Sequence, residues 1–175
     1  TKRMIADREQ LYKEAITFGL KELNITKNVI KNRPLHITFK DCVADAPNVM
    51  SRGSQLAGYF ALKVYPQTTF QIVIRMPTLF VSDNSVLLTI WHEMTHMKQA
   101  ATGTMRHTGV ASNLILWNNK LVDANKVKYK KLPWEIEANE EAARIMKKWK
   151  SSETKTYKNS WQRFFLMMSR VMKID

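Results

Sequence analysis

One cysteine, Cys42, is all the thiol this chain contains, so no disulfide can form within it and any metal site must rest on His, Asp or Glu. A lone thiol suits a reducing compartment, and a cytoplasmic setting is the expectation. No apolar run approaches the roughly 18 residues that a membrane-crossing helix requires. The opening Thr1-Lys2-Arg3-Met4 leads into a polar segment rather than an apolar signal segment, so neither export nor membrane spanning is expected from these residues. Internal repeats and low-complexity tracts are lacking too. Acidic residues are scarce: 15 Asp and Glu face 28 Lys and Arg, leaving a formal net charge of +13. Such an excess favours anionic partners, nucleic acid on a basic surface among them, although no recognisable nucleic-acid motif accompanies it.

What is present points to a folded protein. Hydrophobic residues make up 45% of the 175 residues and five are tryptophan, enough for one domain spanning 1–175 with a real core and too little chain for two. Histidine is rare, four in all, yet two of them stand one helical turn apart in Trp91-His92-Glu93-Met94-Thr95-His96. On a helix both imidazoles of this His-Glu-x-x-His pattern project from one face and can reach one metal ion. Glu93 is displaced about 100° round the helix from His92. It is placed beside the metal, where a carboxylate can take a proton from an activated water.

The pattern carries weight only in mid-helix, and the flanking residues put it there. Ser82-Asp83-Asn84-Ser85 supplies capping side chains, with Asp83 the expected cap, and Val86, Leu87, Ile90, Met94, Met97 and Ala101 follow at helical spacing. Gly103 is a suitable terminator. Upstream, residues 4–23 read as an amphipathic helix and Leu35 to Phe39 as a strand in which His36 is structural or exposed. Asp41 to Gly58 is turn-like, with some order expected over Val49 to Leu56. Tyr59 to Tyr65 and Thr69 to Arg75 form two β-rich runs around Pro66-Gln67-Thr68, which predicts a hairpin. Downstream, Leu114 to Trp117 and Lys120 to Val122 flank Asn118-Asn119, a predicted tight turn because Asn tolerates positive φ. A basic run, Lys126, Lys128, Lys130 and Lys131, follows.

Pro133 opens the next helix, its acids at the N-terminal half and its bases at the C-terminal half, with Trp134, Ala138, Ala142, Ile145 and Trp149 as the buried stripe. Ser151 to Thr156 reads as a loop and Tyr157 to Lys173 as a last helix. The fold class is therefore α+β: an N-terminal helix, a short and mostly antiparallel sheet, the motif helix, a hairpin, a second ligand-bearing helix and a C-terminal helix.

A catalytic zinc commonly takes three protein ligands and keeps one position open. Gln99 and Thr102 occupy the places where a metzincin has Gly and His, which rejects that class. Two candidates remain for the third ligand. His107 lies past the helix end and could return to the metal. Glu137 lies beside the stripe of the later helix, where Ala138 permits close approach and a half-buried carboxylate needs a partner. Glu137 is preferred, and Glu135, Glu140 and Glu141 read as dipole charges on a solvated face.

His92-Glu93-Met94-Thr95-His96 with Gln99, Gly103, a Trp-containing hairpin and Pro133-Trp134-Glu135-Ile136-Glu137-Ala138-Asn139 resembles the small zinc metallopeptidases of gluzincin or minigluzincin type, including bacterial and phage ImmA/IrrE-like proteins. The likeness covers roughly residues 85–145. It implies zinc on His92, His96 and Glu137, with Glu93 as general base for peptide hydrolysis. SprT-like proteases are also similar, and that version selects His107 instead. Tyr129 and His107 are candidates for stabilising the transition state. The resemblance implies a peptide or protein substrate in a bacterial or phage-infected cytoplasm. The competing expectation is a basic, virion-associated or nucleic-acid-associated binding protein with a vestigial or structural zinc site.

Overall fold

The computed structural model describes residues 2–30, 33–41, 58–63, 69–76, 82–109, 113–152 and 172–174. Helix α1 spans Lys2–Glu22, and strand β1 spans Leu35–Asp41. Strands β2 (Gly58–Lys63) and β3 (Thr69–Met76) precede helix α2, Asp83–Thr102. Three short strands follow: β4 (Met105–His107), β5 (Leu114–Trp117) and β6 (Lys120–Asp123). Two single-turn 3-10 helices, Ala124–Lys126 and Tyr129–Lys131, lead to helix α3, Pro133–Ser151, and the described chain closes with β7, Met172–Ile174.

This is a mixed α+β fold, as expected. In the larger sheet the strand order is β2-β3-β1-β7. The predicted β2–β3 pairing is antiparallel, whereas β1 runs parallel to both β3 and β7, so this sheet is mixed rather than mostly antiparallel. The second sheet, β4-β5-β6, is antiparallel throughout. Met172 and Lys173, expected at the end of a helix, are extended in β7 because β1 offers them a free parallel edge. Cys42, residues 49–56, the turn at 66–68 and the remainder of that expected helix, 157–171, lie outside the described residues.

One core joins the larger sheet to all three helices. Ile16, Leu20 and Leu23 from α1 and its end pack with Leu35 and Ile37 of β1, Phe70 and Ile72 of β3, Ile90, Trp91 and Met94 of α2, and Ile145 of α3. The alternation along β1 and β3 delivers one side of each strand to the helices, as a period of two requires. Trp91 is fully buried and donates its indole N–H to the Ala15 carbonyl at 2.8 Å. Gly19 makes room for it: a Cβ at this position would stand 2.6 Å from Trp91 Cδ1. A second, smaller core forms under the β4-β5-β6 sheet, where Ile115, Leu132 and Trp134 pack with Met105, Trp117 and Val122. Its turn at Asn118-Asn119 has φ of 49° and 64°, the left-handed pair expected of a tight hairpin. No helix among the described residues is long and apolar enough to cross a membrane.

Candidate metal centre

Helix α2 has two working faces. Val86, Leu87, Ile90, Trp91, Met94 and Met97 enter the main core, while His92, His96 and Gln99 recur at intervals of four and three along the flank turned toward α3. The helix is held at both ends. Ser82, rather than Asp83, is the N-cap, its side chain accepting from Ser85 N–H. Asp83 lies inside the helix and its carboxylate accepts the Tyr12 hydroxyl at 2.9 Å, a tertiary bond that competes successfully with a local cap. Gly103 terminates the helix at φ 77°, as expected.

Three side chains converge where α2 meets the first turn of α3: His92, His96 and Glu135. The two Nε2 atoms are 3.0 Å apart. Glu135 faces both, with Oε2 at 3.3 Å from His92 Nε2 and Oε1 at 3.3 Å from His96 Nε2. The carboxylate is buried, 5% exposed, and its Oε2 has no hydrogen-bond donor.

The bonds behind the rings show what these atoms offer. Gln99 Nε2 donates to the Trp134 carbonyl at 3.0 Å and to Glu137 Oε2 at 2.7 Å, two acceptors that fix the amide orientation. Gln99 Oε1 must then accept from His96 Nδ1–H, 2.8 Å away, leaving a lone pair on His96 Nε2. His92 Nδ1 likewise faces Asn139 Oδ1 at 3.1 Å, which favours the same tautomer. With these tautomers, two imidazole lone pairs and a carboxylate converge on one point. Such an arrangement is repulsive unless a cation sits at its centre. One ligand atom from each of the three residues lies within 4.8 Å of the others, and the 3.0 Å between the two Nε2 atoms is near the roughly 3.3 Å that separates ligand atoms on a tetrahedral metal with bonds of about 2.0 Å. The donor set and its spacing therefore fit a metal ion.

Electrostatics agree. Burial pushes the Glu135 carboxyl upward, but the facing His92 and His96 outweigh it and lower its pKa to about 2. Burial depresses His96, yet Glu135 and Gln99 overcome that and raise it above its ordinary value. Tyr129, 57% exposed on the rim, brings its phenol to Glu135; burial and the nearby negative charges of Glu135 and Glu93 push its pKa up, so it remains a protonated donor.

Comparison with protein-family models, curated proteins and solved structures returns no match for this chain. The site must be read from its own residues.

The structure brings His92 and His96 together as the motif predicts, but the carboxylate that joins them belongs to Glu135, not Glu137. Glu137 is half-buried as expected, and its partner is the Gln99 amide. The assignment of Glu135 to a solvated face is likewise corrected. A usable signal was present: Glu135 precedes Ala138 by three residues and Ala142 by seven, in phase with the buried stripe, whereas Glu137 is about 100° away from Ala138. His107 is exposed on β4 and stands outside the group. Glu93 is buried on α2, 7% exposed, beside His92 but not among the three converging groups. Lys126, Lys128, Lys130 and Lys131 are exposed, and Lys126 pairs with Asp123 at 3.5 Å.

Proposed function

We propose that this protein is a zinc-dependent metallopeptidase in which His92, His96 and Glu135 hold the metal. The observation that carries the reading is the convergence of three lone-pair donors, one of them a buried carboxylate oxygen with no hydrogen-bond donor, beside a buried glutamate of the same helix. Three protein ligands leave a position open, which distinguishes a catalytic from a structural zinc site. Zinc held there would supply Lewis acidity to a water molecule and to the scissile carbonyl.

The chain's own groups supply the rest. Glu93 takes the proton from the attacking water as its oxygen bonds to the carbonyl carbon, then delivers that proton to the amide nitrogen as the C–N bond breaks, giving a carboxylic acid and an amine. Tyr129, a protonated phenol beside Glu135, would donate a hydrogen bond to the oxyanion that develops during attack. A peptide or protein is the substrate class.

Two histidines and one carboxylate also suit ferrous iron. Glu93 favours zinc hydrolysis, because a buried carboxylate beside the metal serves as a proton acceptor in that chemistry. The test is metal analysis combined with peptide hydrolysis by the wild type and Glu93→Gln. Stoichiometric zinc in both, with hydrolysis only in the wild type, is the expected result. Equal hydrolysis by the two proteins, or preferential loading with iron, would overturn it.

A further inference from the structure

Glu137 is left without a part in the chemistry by the placement of Glu135, yet it makes one of the shortest hydrogen bonds in the site. From this we infer that Glu137 and Gln99 form a positioning relay that holds the His96 imidazole in its metal-binding tautomer and couples metal affinity to the contact between α2 and α3. The inference rests on the metal reading of His92, His96 and Glu135.

The geometry leaves little freedom. Gln99 is 2% exposed, so each unpaired polar atom on it would be costly. Both hydrogens of its amide nitrogen are committed to α3, one to the Trp134 carbonyl and one to Glu137 Oε2. A flipped amide would aim its oxygen at these two acceptors and its NH2 at His96. The anionic end of the relay therefore penalises the flip, and the amide oxygen stays on His96 Nδ1–H. Nε2 is left with its lone pair directed at His92 Nε2 and Glu135. Because Trp134 and Glu137 bracket Glu135, the same amide also ties the turn that carries the third carboxylate to the helix that carries the histidines. His92 has its own support, Asn139, from the next turn of α3. His92 is thus held by α3 directly, and His96 by way of Gln99 on its own helix.

What Glu137 must supply is an acceptor oxygen, not a charge on the metal. Glu137→Gln keeps that oxygen, while Glu137→Ala removes it. Gln99→Glu alone sets two carboxylates against each other. Combined with Glu137→Gln it restores the link to position 137 in reverse, with a carboxylate accepting from His96 and from the introduced amide, while the Trp134 carbonyl loses its donor.

Zinc affinity measured by competition with a chromogenic chelator tests this, alongside 15N NMR of the His96 ring in metal-free protein at a pH where the imidazole is neutral. The expected result is a loss of roughly 10- to 100-fold in zinc affinity for Gln99→Leu and Glu137→Ala. Glu137→Gln should be near wild type, and the Gln99→Glu, Glu137→Gln double variant should recover affinity over Gln99→Glu alone. The His96 ring should carry its proton on Nδ1 in the wild type and become a tautomer mixture in Gln99→Leu. Wild-type affinity in Gln99→Leu, or equal losses in Glu137→Gln and Glu137→Ala, would overturn the relay while leaving the metal site intact. A wild type that binds no zinc removes the metal reading itself, and the tautomer of His96 then decides the relay alone.

Discussion

Glu135 is a buried carboxylate that faces two imidazoles and has one oxygen without a hydrogen-bond donor. Removing it should therefore act on metal binding before anything else. Glu135→Ala is expected to lower zinc affinity by at least 100-fold, read by chelator competition, while His107→Ala on its exposed strand keeps wild-type affinity. Glu93→Gln should retain zinc and lose hydrolysis by roughly 100-fold or more, the usual scale of a lost general base; unaltered turnover would remove Glu93 from that role. Tyr129→Phe should keep metal and KM and lower kcat, because a donor to the developing oxyanion acts only as charge appears. At this scale the motif histidines were legible because a spacing of four on a helix has one geometric meaning. The third carboxylate was less direct: Glu135 and Glu137 differ by about 200° round the helix, and only the phase of Glu135 with Ala138 and Ala142 separates them. Half-burial, used as the criterion, describes Glu137 correctly but has a second solution, an amide partner, and that is the one realised.

At the scale of whole elements, α2 carries the site and its ends and back determine how well it is held. Ser82→Ala removes the side-chain acceptor for Ser85 N–H and should cost about 1 kcal/mol in urea unfolding. Gly19→Ala on α1 should cost about 1–3 kcal/mol, because the added methyl meets the Trp91 ring and neither it nor the helix can move freely. A Gly19→Ala protein as stable as wild type would show that the two helices are not packed as described. Elements with local signals were readable: α2 from its apolar period and Gly103, α3 from Pro133, the β5–β6 hairpin from Asn118-Asn119. Elements whose existence depends on a distant partner were not. Met105–His107 has no strand signature of its own and is extended because β5 pairs with it. Met172–Ile174 owes its conformation to β1. The cap differed for a related reason, as Asp83 is drawn to Tyr12 from α1, a partner 71 residues away in sequence.

Across the whole molecule, α1 and α3 are clasped by Arg144, which donates to Glu22 Oε2 and to the Glu22 carbonyl, each at 3.0 Å, and to Glu141; Lys148 reaches the same Glu22 oxygen at 2.7 Å. Burial would raise Glu22, but Lys148 and Arg144 outweigh it and bring it below the ordinary 4.5; Glu141 is lowered chiefly by Arg144. Groups depressed in the folded state contribute their full stability above the unfolded value and lose it as pH falls through the folded one. The contribution of this clasp to thermal stability should therefore be constant above about pH 5 and decline below about pH 4.5, so the acid-side fall in melting temperature should be shallower in Arg144→Met, which should itself cost about 1 kcal/mol. A melting temperature in the mutant with the same acid dependence as wild type would count against the clasp. Added zinc should raise the melting temperature with its concentration, as for any ligand that binds only the folded chain. Charge and composition announced a folded basic protein, but how α1 and α3 meet was not readable from either helix alone. Buried tryptophans stand immediately before residues of the metal group on both helices, Trp91 before His92 and Trp134 before Glu135. The protein thus carries its own optical gauge: cobalt, whose partly filled d shell accepts excitation energy, should dim the intrinsic ultraviolet emission as it enters, and zinc should restore it on exchange.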